Sequence, residues 1–261
     1  MPCAPQLNFS SISDQLMRMS IPSPTDVGAC VFDAYGTLFD VQSAASRAEA
    51  QLGERWRPLA ETWRSKQLEY TWLRTLAGRH ADFWQVTGDA LDFALESFGF
   101  DRPALREALM TLYLSLDPYP DVKPTLLKLK GHGLKLAVLS NGSPGMLASA
   151  VEHAGLSGFF DAILSVEAVG VYKPHPSVYG LALNAFGLPA ERISFISSNG
   201  WDAFSAKAFG LRVLWCNRLG QPAEHIPERP DAEAATLTAL PRWLGIENDS
   251  TNAGSDPAPE G

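Results

Sequence analysis

The sequence predicts an α/β fold: a doubly wound, mostly parallel, Rossmann-like sheet with one inserted helical cap domain. Short apolar runs alternate with helical segments, polar clusters follow three of these runs, and residues 40–120 contain helical segments without a strand-like run. Alternating strands and helices are typical of βαβ units, which build parallel sheets. Because such sheets bind ligands at the carboxyl ends of their strands, we expect the polar clusters to meet there.

Five short apolar runs are the predicted strands. Each is rich in aliphatic residues and is too short for a typical helix, as expected for strands buried inside a parallel sheet. In chain order they are Gly28–Phe32, Leu134–Leu139, the weaker candidate Ala162–Val166, Ile193–Ile196 and Arg212–Cys216.

Helix start and stop signals separate the later strands. Proline is favoured in the first turn of a helix and glycine just after its end. Three helices are predicted on this basis: one capped by Ser143-Pro144 and ending near Gly155, one from Pro176 to Gly187, and Trp201–Phe209 closed by Gly210.

The cap domain is predicted to consist of three amphipathic helices. They are Pro58–Ala77, Ala81–Phe98 and Pro103–Ser115, the last with Asp101 as a candidate N-cap. In the first helix, a rotation of about 100° per residue places Arg64 and Leu68 on one face with Thr71 and Thr75. An arginine therefore lies in a mixed apolar stripe of the cap.

These elements give a domain division. The core domain comprises residues 27–39 and 121–246, and the cap domain residues 40–120. Residues 1–26 are expected to form a flexible N-terminal extension without the basic and apolar regions of a secretory signal. Residues 247–261 contain no apolar residue larger than alanine or proline, so we expect a disordered tail.

Composition excludes several functional classes. The 261-residue chain is 46% hydrophobic and can bury a large core, but no stretch approaches the roughly 18 to 20 apolar residues of a membrane span. A net charge of −8 without Lys/Arg clusters argues against nucleic acid as a partner. The three cysteines (Cys3, Cys30, Cys216) lack metal-site or disulfide spacing, and a reducing cytoplasm is the simplest location.

Each polar cluster, taken alone, has two interpretations. Asp33, after the first strand, could be a carboxylate nucleophile or a residue that caps a turn. Ser140 and Asn141 could donate to an anion or form an ordinary turn. Lys173 could be a cation at the sheet edge or a solvated lysine, and Asp202 a general base or a favourable charge at a helix start.

Together, in this order and spacing, the clusters resemble the haloacid dehalogenase-like superfamily over most of residues 28–246. Within it, five segments resemble the L-2-haloacid dehalogenases: Phe32–Asp40, Trp63–Trp72, Leu139–Ser143, Val171–Pro174 and Ser197–Asp202. The resemblance implies hydrolysis of a short-chain L-2-haloalkanoic acid to the D-2-hydroxy acid with inversion, through an ester on Asp33.

The resemblance also implies roles for individual residues. Arg64 and Asn141 would bind the departing halide, and Ser140 the substrate carboxylate. Lys173 and Thr37 would support Asp33, while Asp202, Ser197 and Asn199 would position or activate the hydrolytic water. The resemblance implies a pocket for the alkyl chain formed by Tyr35, Leu68, Phe83 and Trp201. It also implies a site position at Tyr179, without a defined role. Ordinary core packing is the alternative for Leu68 and Phe83.

No cofactor or metal is implied. The related magnesium-dependent phosphatases carry a second Asp where this chain has Tyr35, and a Gly-Asp pair where it has Ser198-Asn199, so carboxylate ligands for a hard cation are missing. Ser65 and Gly200 depart from the residues common in the family. A homodimer is expected from the resemblance alone.

Three other functions remain open. One is another hydrolase on this scaffold, such as a defluorinase or a hydrolase of a small cyclic imino acid. The others are a Mg²⁺-dependent phosphatase and a non-catalytic binding protein.

Overall fold

The fold is a six-stranded parallel sheet in the strand order β3-β2-β1-β4-β5-β6. The computed structural model describes residues 26–41, 47, 49–100 and 103–246. The strands are β1 (Ala29–Phe32), β2 (Lys135–Ser140), β3 (Ala162–Ser165), β4 (Ile193–Ser197), β5 (Arg212–Cys216) and β6 (Ala232–Ala234). The predicted α/β class and all five predicted strands are therefore confirmed.

The strand β6 was not predicted. Its sequence, Ala-Glu-Ala, is three residues long and has no aliphatic run. It pairs only with β5, at the edge of the sheet, so its conformation depends on the neighbouring strand rather than on its own composition.

The central strands are buried and in register, which positions their carboxyl ends together. All residues of β1 and β4 are buried. Phe32 is level with Val138 of β2 on one side and Ile196 of β4 on the other. The next residue, Asp33, continues the ladder by donating its N–H to the carbonyl of Ile196 (2.9 Å).

The described helices comprise four within residues 40–120 and five within residues 121–246. The first group is α1 (Glu49–Leu52), α2 (Trp56–Leu76), α3 (Phe83–Ser97) and α4 (Pro103–Leu112). The others are α5 (Val122–Gly131), α6 (Pro144–His153), α7 (Pro176–Phe186), α8 (Gly200–Phe209) and α9 (Leu240–Trp243). Short 3₁₀ turns occupy Gly53–Arg55, Val166–Ala168, Ala190–Arg192 and Leu237–Ala239.

The helix signals after β2 correspond to real helix ends. The side chain of Ser143 accepts a hydrogen bond from Met146 N–H (3.4 Å) at the start of α6. Gly187 (φ 61°) and Gly210 (φ 110°) end α7 and α8 in the left-handed conformation that glycine adopts without strain. In contrast, α1, α5 and α9 were not predicted, and α4 ends three residues before the expected Ser115.

The helical segment between β1 and β2 contains the three predicted long helices. Their assignment to a separate cap domain stays a prediction, and the Asp101 cap, residues 1–25 and the tail 247–261 lie outside the described residues. On α2 the predicted face turns toward the sheet edge, since Thr75 Oγ1 accepts a hydrogen bond from the backbone N–H of Tyr172 (3.1 Å). Within the described part of the chain, no helix has the length and apolarity needed to cross a membrane.

Candidate active site

The candidate site lies at the carboxyl ends of the three adjacent strands β2, β1 and β4. Asp33 directly follows β1, Asn141 follows β2, and Asn199 stands two residues after β4. Their side chains meet because parallel neighbours in register end at the same edge. The structure thus brings together residues that are up to 166 positions apart in the chain.

Three side chains hold the carboxylate of Asp33. Lys173 Nζ donates to Oδ1 (3.0 Å), while Thr37 Oγ1 (3.1 Å) and Asn199 Nδ2 (2.9 Å) donate to Oδ2. Thr37 is itself fixed, because its hydroxyl oxygen accepts the backbone N–H of Ser198 (2.8 Å). The carboxylate therefore has a defined orientation before any substrate enters.

Lys173 is a buried cation between two carboxylates. Its side chain is 1% exposed, and Nζ reaches Asp202 Oδ2 (2.8 Å) as well as Asp33. Burial alone lowers the pKa of Lys173, but the negative charges of Asp202 and Asp33 outweigh it and hold the pKa above its ordinary value. The ammonium group is therefore charged at neutral pH.

Asp202 and Tyr179 lie behind Lys173. Complete burial raises the pKa of Asp202 and the ammonium of Lys173 opposes that shift. The hydroxyl of Tyr179 donates to Asp202 Oδ1 (2.8 Å), and burial holds the pKa of Tyr179 well above its ordinary value, so the phenol stays a donor. Both carboxylate oxygens of Asp202 thus have partners, which offsets the cost of burying the charge.

Arg64 reaches the site from α2. Its side chain is half-buried, and Nη2 donates to Asn199 Oδ1 (3.3 Å) while Nη1 donates to Gln67 Oε1 (2.7 Å). Asn199 in turn donates to Asp33 and to the carbonyl of Tyr35 (3.3 Å). One amide therefore connects the guanidinium on the helix to the carboxylate on the sheet.

These groups line a small pocket of roughly 240 Å³, part of which is open to solvent. Its lining consists of Asp33, Tyr35, Arg64, Leu68, Phe83, Ser140, Asn141, Lys173, Asn199 and Trp201. All ten were named from the sequence. Asn141 Oδ1 already accepts the backbone N–H of Lys173 (3.1 Å), so its NH₂ group is the part able to donate into the pocket.

The other named residues stand behind the lining rather than in it. Thr37 supports Asp33, Asp202 and Tyr179 support Lys173, and Ser197 Oγ accepts the backbone N–H of Asn199 (3.2 Å). The aromatic wall is continuous: the ring centroid of Tyr35 lies 5.8 Å from that of Phe83 and 5.9 Å from that of Tyr113.

Two residues in contact with this site were missed by the sequence analysis. Gln67 is buried and accepts from Arg64, and Tyr113 packs on Tyr35 and contacts Gln67. The one sequence signal for Gln67 is its position three residues after Arg64, where helical side chains meet. Nothing in the sequence near Tyr113 indicates the site.

In the described part of the chain, the acidic side chains do not form a metal cluster. Among the residues that the structure describes, no group of three or more His, Cys, Asp or Glu side chains is arranged to hold an ion. The two acidic residues of the site, Asp33 and Asp202, are bridged by the ammonium group of Lys173.

Comparison with known proteins gives concordant matches. Residues 27–210 match the model of the haloacid dehalogenase-like hydrolases. An (S)-2-haloacid dehalogenase from Pseudomonas sp. (strain YL) is 48% identical over 210 residues, which cover 80% of this chain and 90% of that protein.

Solved structures agree. A crystal structure of an L-2-haloacid dehalogenase superimposes with a TM-score of 0.83 at 44% identity and covers 84% of this chain and 99% of the other. The L-2-haloacid dehalogenase of Xanthobacter autotrophicus, solved with chloropropionic acid covalently bound, matches with a TM-score of 0.79 at 40% identity over 84% of this chain and 98% of that one.

Proposed function

The chain belongs to the haloacid dehalogenase-like hydrolases, in the branch of the L-2-haloacid dehalogenases, and we propose that it hydrolyses short-chain L-2-haloalkanoic acids to D-2-hydroxy acids. The observation that carries the proposal is the carboxylate of Asp33. It lies in the pocket, held by Lys173, Thr37 and Asn199, and faces a pocket wall that includes Arg64. A fixed carboxylate beside a guanidinium suits displacement of an anionic leaving group.

The first step is nucleophilic substitution. An oxygen of Asp33 attacks the carbon that carries the halogen, a new C–O bond forms, and the C–halogen bond breaks with its electron pair leaving on the halide. Attack opposite the halogen inverts the configuration. Arg64 and the NH₂ group of Asn141 receive the halide, and a guanidinium suits this role because it remains charged at any working pH.

The second step is hydrolysis of the ester. Water attacks the carboxyl carbon of Asp33, the bond from this carbon to the alkyl oxygen breaks, one proton of the water passes to the departing oxygen of the hydroxy acid and the other to solvent, and the carboxylate of Asp33 is restored. We assign the positioning or activation of this water to Asp202, Ser197 and Asn199. Asn199 lines the pocket and donates to Asp33 Oδ2, and Ser197 Oγ accepts the backbone N–H of Asn199, which supports the assignment of these two residues. Asp202 lies behind the lining and would act through Lys173, to which it is hydrogen-bonded.

The rest of the pocket accounts for recognition of the substrate. We assign its carboxylate to Ser140 and the backbone amides that follow Asp33. The alkyl chain would contact the apolar lining side chains, which also exclude water from the reacting carbon: Tyr35, Leu68, Phe83 and Trp201.

We further propose that the enzyme needs no metal, acts as a homodimer and works in the cytoplasm. Metal independence is supported by Tyr35 and Asn199, which replace carboxylates of the magnesium-dependent relatives. The homodimer is supported by two exposed apolar side chains on α2, Leu73 (52% exposed) and Leu76 (84% exposed).

The deciding experiment is halide release from L- and D-2-chloropropionate, run in parallel with a chelator present throughout. Release from the L form alone is expected. Release from neither would contradict the proposal and direct the search to other carboxylate-bearing electrophiles and, with Mg²⁺ restored, to phosphate esters.

A single turnover in ¹⁸O-labelled water tests the ester intermediate. Because water attacks the carboxyl carbon of the ester, the first hydroxy acid should carry an unlabelled oxygen from Asp33, and the label should appear in the protein. Label in the first product would exclude the covalent route.

A further inference from the structure

Gln67 is a fully buried polar side chain that the proposed mechanism does not use. It lies on α2, three residues after Arg64, and has 0% exposure. A buried amide is unfavourable unless its donors and acceptor are satisfied. Its partners therefore indicate what it does.

The hydrogen bonds around Gln67 allow only one consistent assignment of donors and acceptors. The hydroxyl of Thr87 donates its single hydrogen to the carbonyl of Phe83 (2.6 Å), so its oxygen accepts from Gln67 Nε2 (2.7 Å). The nitrogen of the amide thus faces Thr87 on α3, and the oxygen faces Arg64. That oxygen accepts from Arg64 Nη1 (2.7 Å) and from the hydroxyl of Tyr113 (3.4 Å).

Arg64 is consequently held from both the helical side and the sheet side. Gln67 fixes Nη1 from the helical side, and Asn199 fixes Nη2 from the sheet side at the longer distance of 3.3 Å. A guanidinium has five N–H donors, so it can keep both contacts and still donate to an anion in the pocket. Without Gln67 the long, half-buried side chain would lose its 2.7 Å hydrogen bond and gain rotamer freedom.

We infer that Gln67, oriented by Thr87, is a positioning residue that holds the guanidinium of Arg64 where the halide departs. The inference rests on the proposed function and deepens it, because it concerns stabilisation of the leaving group. Gln67 does not line the pocket and acts through Arg64.

The dependence of the rate on the departing halide distinguishes a positioning role of Gln67 from a packing role. Chloride is the poorer leaving group and carries the more concentrated charge, so its departure depends more on well-placed donors than that of bromide. A misplaced Arg64 should therefore slow the chloro substrate more than the bromo substrate. A general loss of packing would slow both by the same factor.

The experiment compares Gln67→Leu with the wild type on L-2-chloropropionate and L-2-bromopropionate. The measured quantity is kcat/KM, which includes C–halogen cleavage whichever step limits kcat. We expect a loss of about 10- to 100-fold for the chloro acid, the range for removing a hydrogen bond to a charged group, and a smaller loss for the bromo acid. Gln85→Leu, the same change at an exposed position of α3, is the matched control and should leave both values unchanged.

A second pair of variants covers the case in which Gln67→Leu does not fold. Thr87→Val removes the hydroxyl at nearly constant volume, whereas Thr87→Ser keeps it. Thr87→Val should raise the ratio of bromo to chloro kcat/KM, and Thr87→Ser should restore the wild-type ratio. An equal loss on both substrates in Gln67→Leu, or in Thr87→Val where that is the variant that folds, would overturn the inference.

A bromide-binding experiment tests the positioning role of Gln67 independently of whether the enzyme turns over haloacids. Titration calorimetry with sodium bromide at constant ionic strength should show binding to the wild type and affinity reduced about 10-fold in Gln67→Leu. Absence of turnover in the wild type would refute the proposed function, yet this binding difference would still support the positioning role. Equal bromide affinity in the two proteins would overturn the role even in an active dehalogenase.

Discussion

The pocket has two halves that are built differently. The sheet-edge half follows strands and the loop of Lys173, and comprises Asp33, Tyr35, Ser140, Asn141, Lys173, Asn199 and Trp201. The helical half comes from α2 and α3 and comprises Arg64, Leu68 and Phe83. Charges in the first half are buried and paired with one another, whereas the charge in the second is half-buried and reaches the sheet through one 3.3 Å hydrogen bond.

This difference suggests a division of labour. A nucleophile must be held in one orientation, and a network of buried hydrogen bonds does this at the cost of making stability depend on every member. A group that receives a leaving anion needs its donors directed at the anion, but it can lie on a partly exposed helix. We therefore expect changes in the sheet-edge half to reduce stability and chemistry together, and changes in the helical half to reduce chemistry alone.

The largest effect is expected for Asp33→Asn, since it removes the proposed nucleophile and one partner of Lys173. Turnover should fall by about 10⁴-fold or more, measured as halide release. Asp92→Asn on α3, where the carboxylate forms a surface pair with Arg106, is the matched control and should keep full activity. Wild-type turnover in Asp33→Asn would remove Asp33 from the mechanism.

Next in size is Lys173→Met, which leaves Asp33 and Asp202 facing each other without the ammonium group. Breaking a buried ion pair from one side should lower the free energy of unfolding by about 3–5 kcal/mol and abolish most activity. Chemical denaturation at pH 7 measures the change in the free energy of unfolding. A loss below about 1 kcal/mol would show that the network is not what stabilises this edge.

The pH dependence of stability tests how much the buried charge of Lys173 contributes to the sheet-edge half. The pKa of Lys173 in the folded protein lies above its ordinary value of 10.5, so the folded state binds this proton more tightly than the unfolded chain. The contribution is fully present below about pH 10.5 and is lost as pH rises through the folded value. Melting temperatures measured between pH 8 and 12 should fall more steeply in the wild type than in Lys173→Met, and parallel curves would contradict this.

A loss of activity with little loss of stability is expected for Arg64→Ala. The departing halide loses its cation, so halide release should slow by about 10²- to 10³-fold. The free energy of unfolding should change by about 1 kcal/mol or less because the side chain is half-exposed. Lys66→Ala, two residues along α2 in a surface pair with Glu69, is the control. A large loss of stability in Arg64→Ala would erase the distinction between the halves.

The smallest effect is expected for Tyr179→Phe. It removes one donor from the buried carboxylate of Asp202 and should lower the free energy of unfolding by about 1–3 kcal/mol. Thermal denaturation of this variant, beside Tyr70→Phe on α2, measures the loss. Equal stability of the two variants would show that Lys173 alone satisfies Asp202.

Much of this architecture was visible in the sequence. Apolar runs and helix-end signals identified five strands and the long helices, because strand burial and capping are local properties of composition. They failed at β6, whose three residues become a strand only beside β5, and at α5, whose first turns mix Val122 and Thr125 with Lys123 and Pro124.

By itself, the sequence determined the chemical groups at the strand ends and, through its motifs, the family. Only the tertiary structure decided which of them line the pocket, that Lys173 joins Asp33 to Asp202, and that Gln67 holds Arg64. The physical reason is that a hydrogen bond between distant residues depends on strand register and helix orientation. Neither is encoded near the residues that meet, so a buried glutamine in a helix appears in the sequence as one more polar residue.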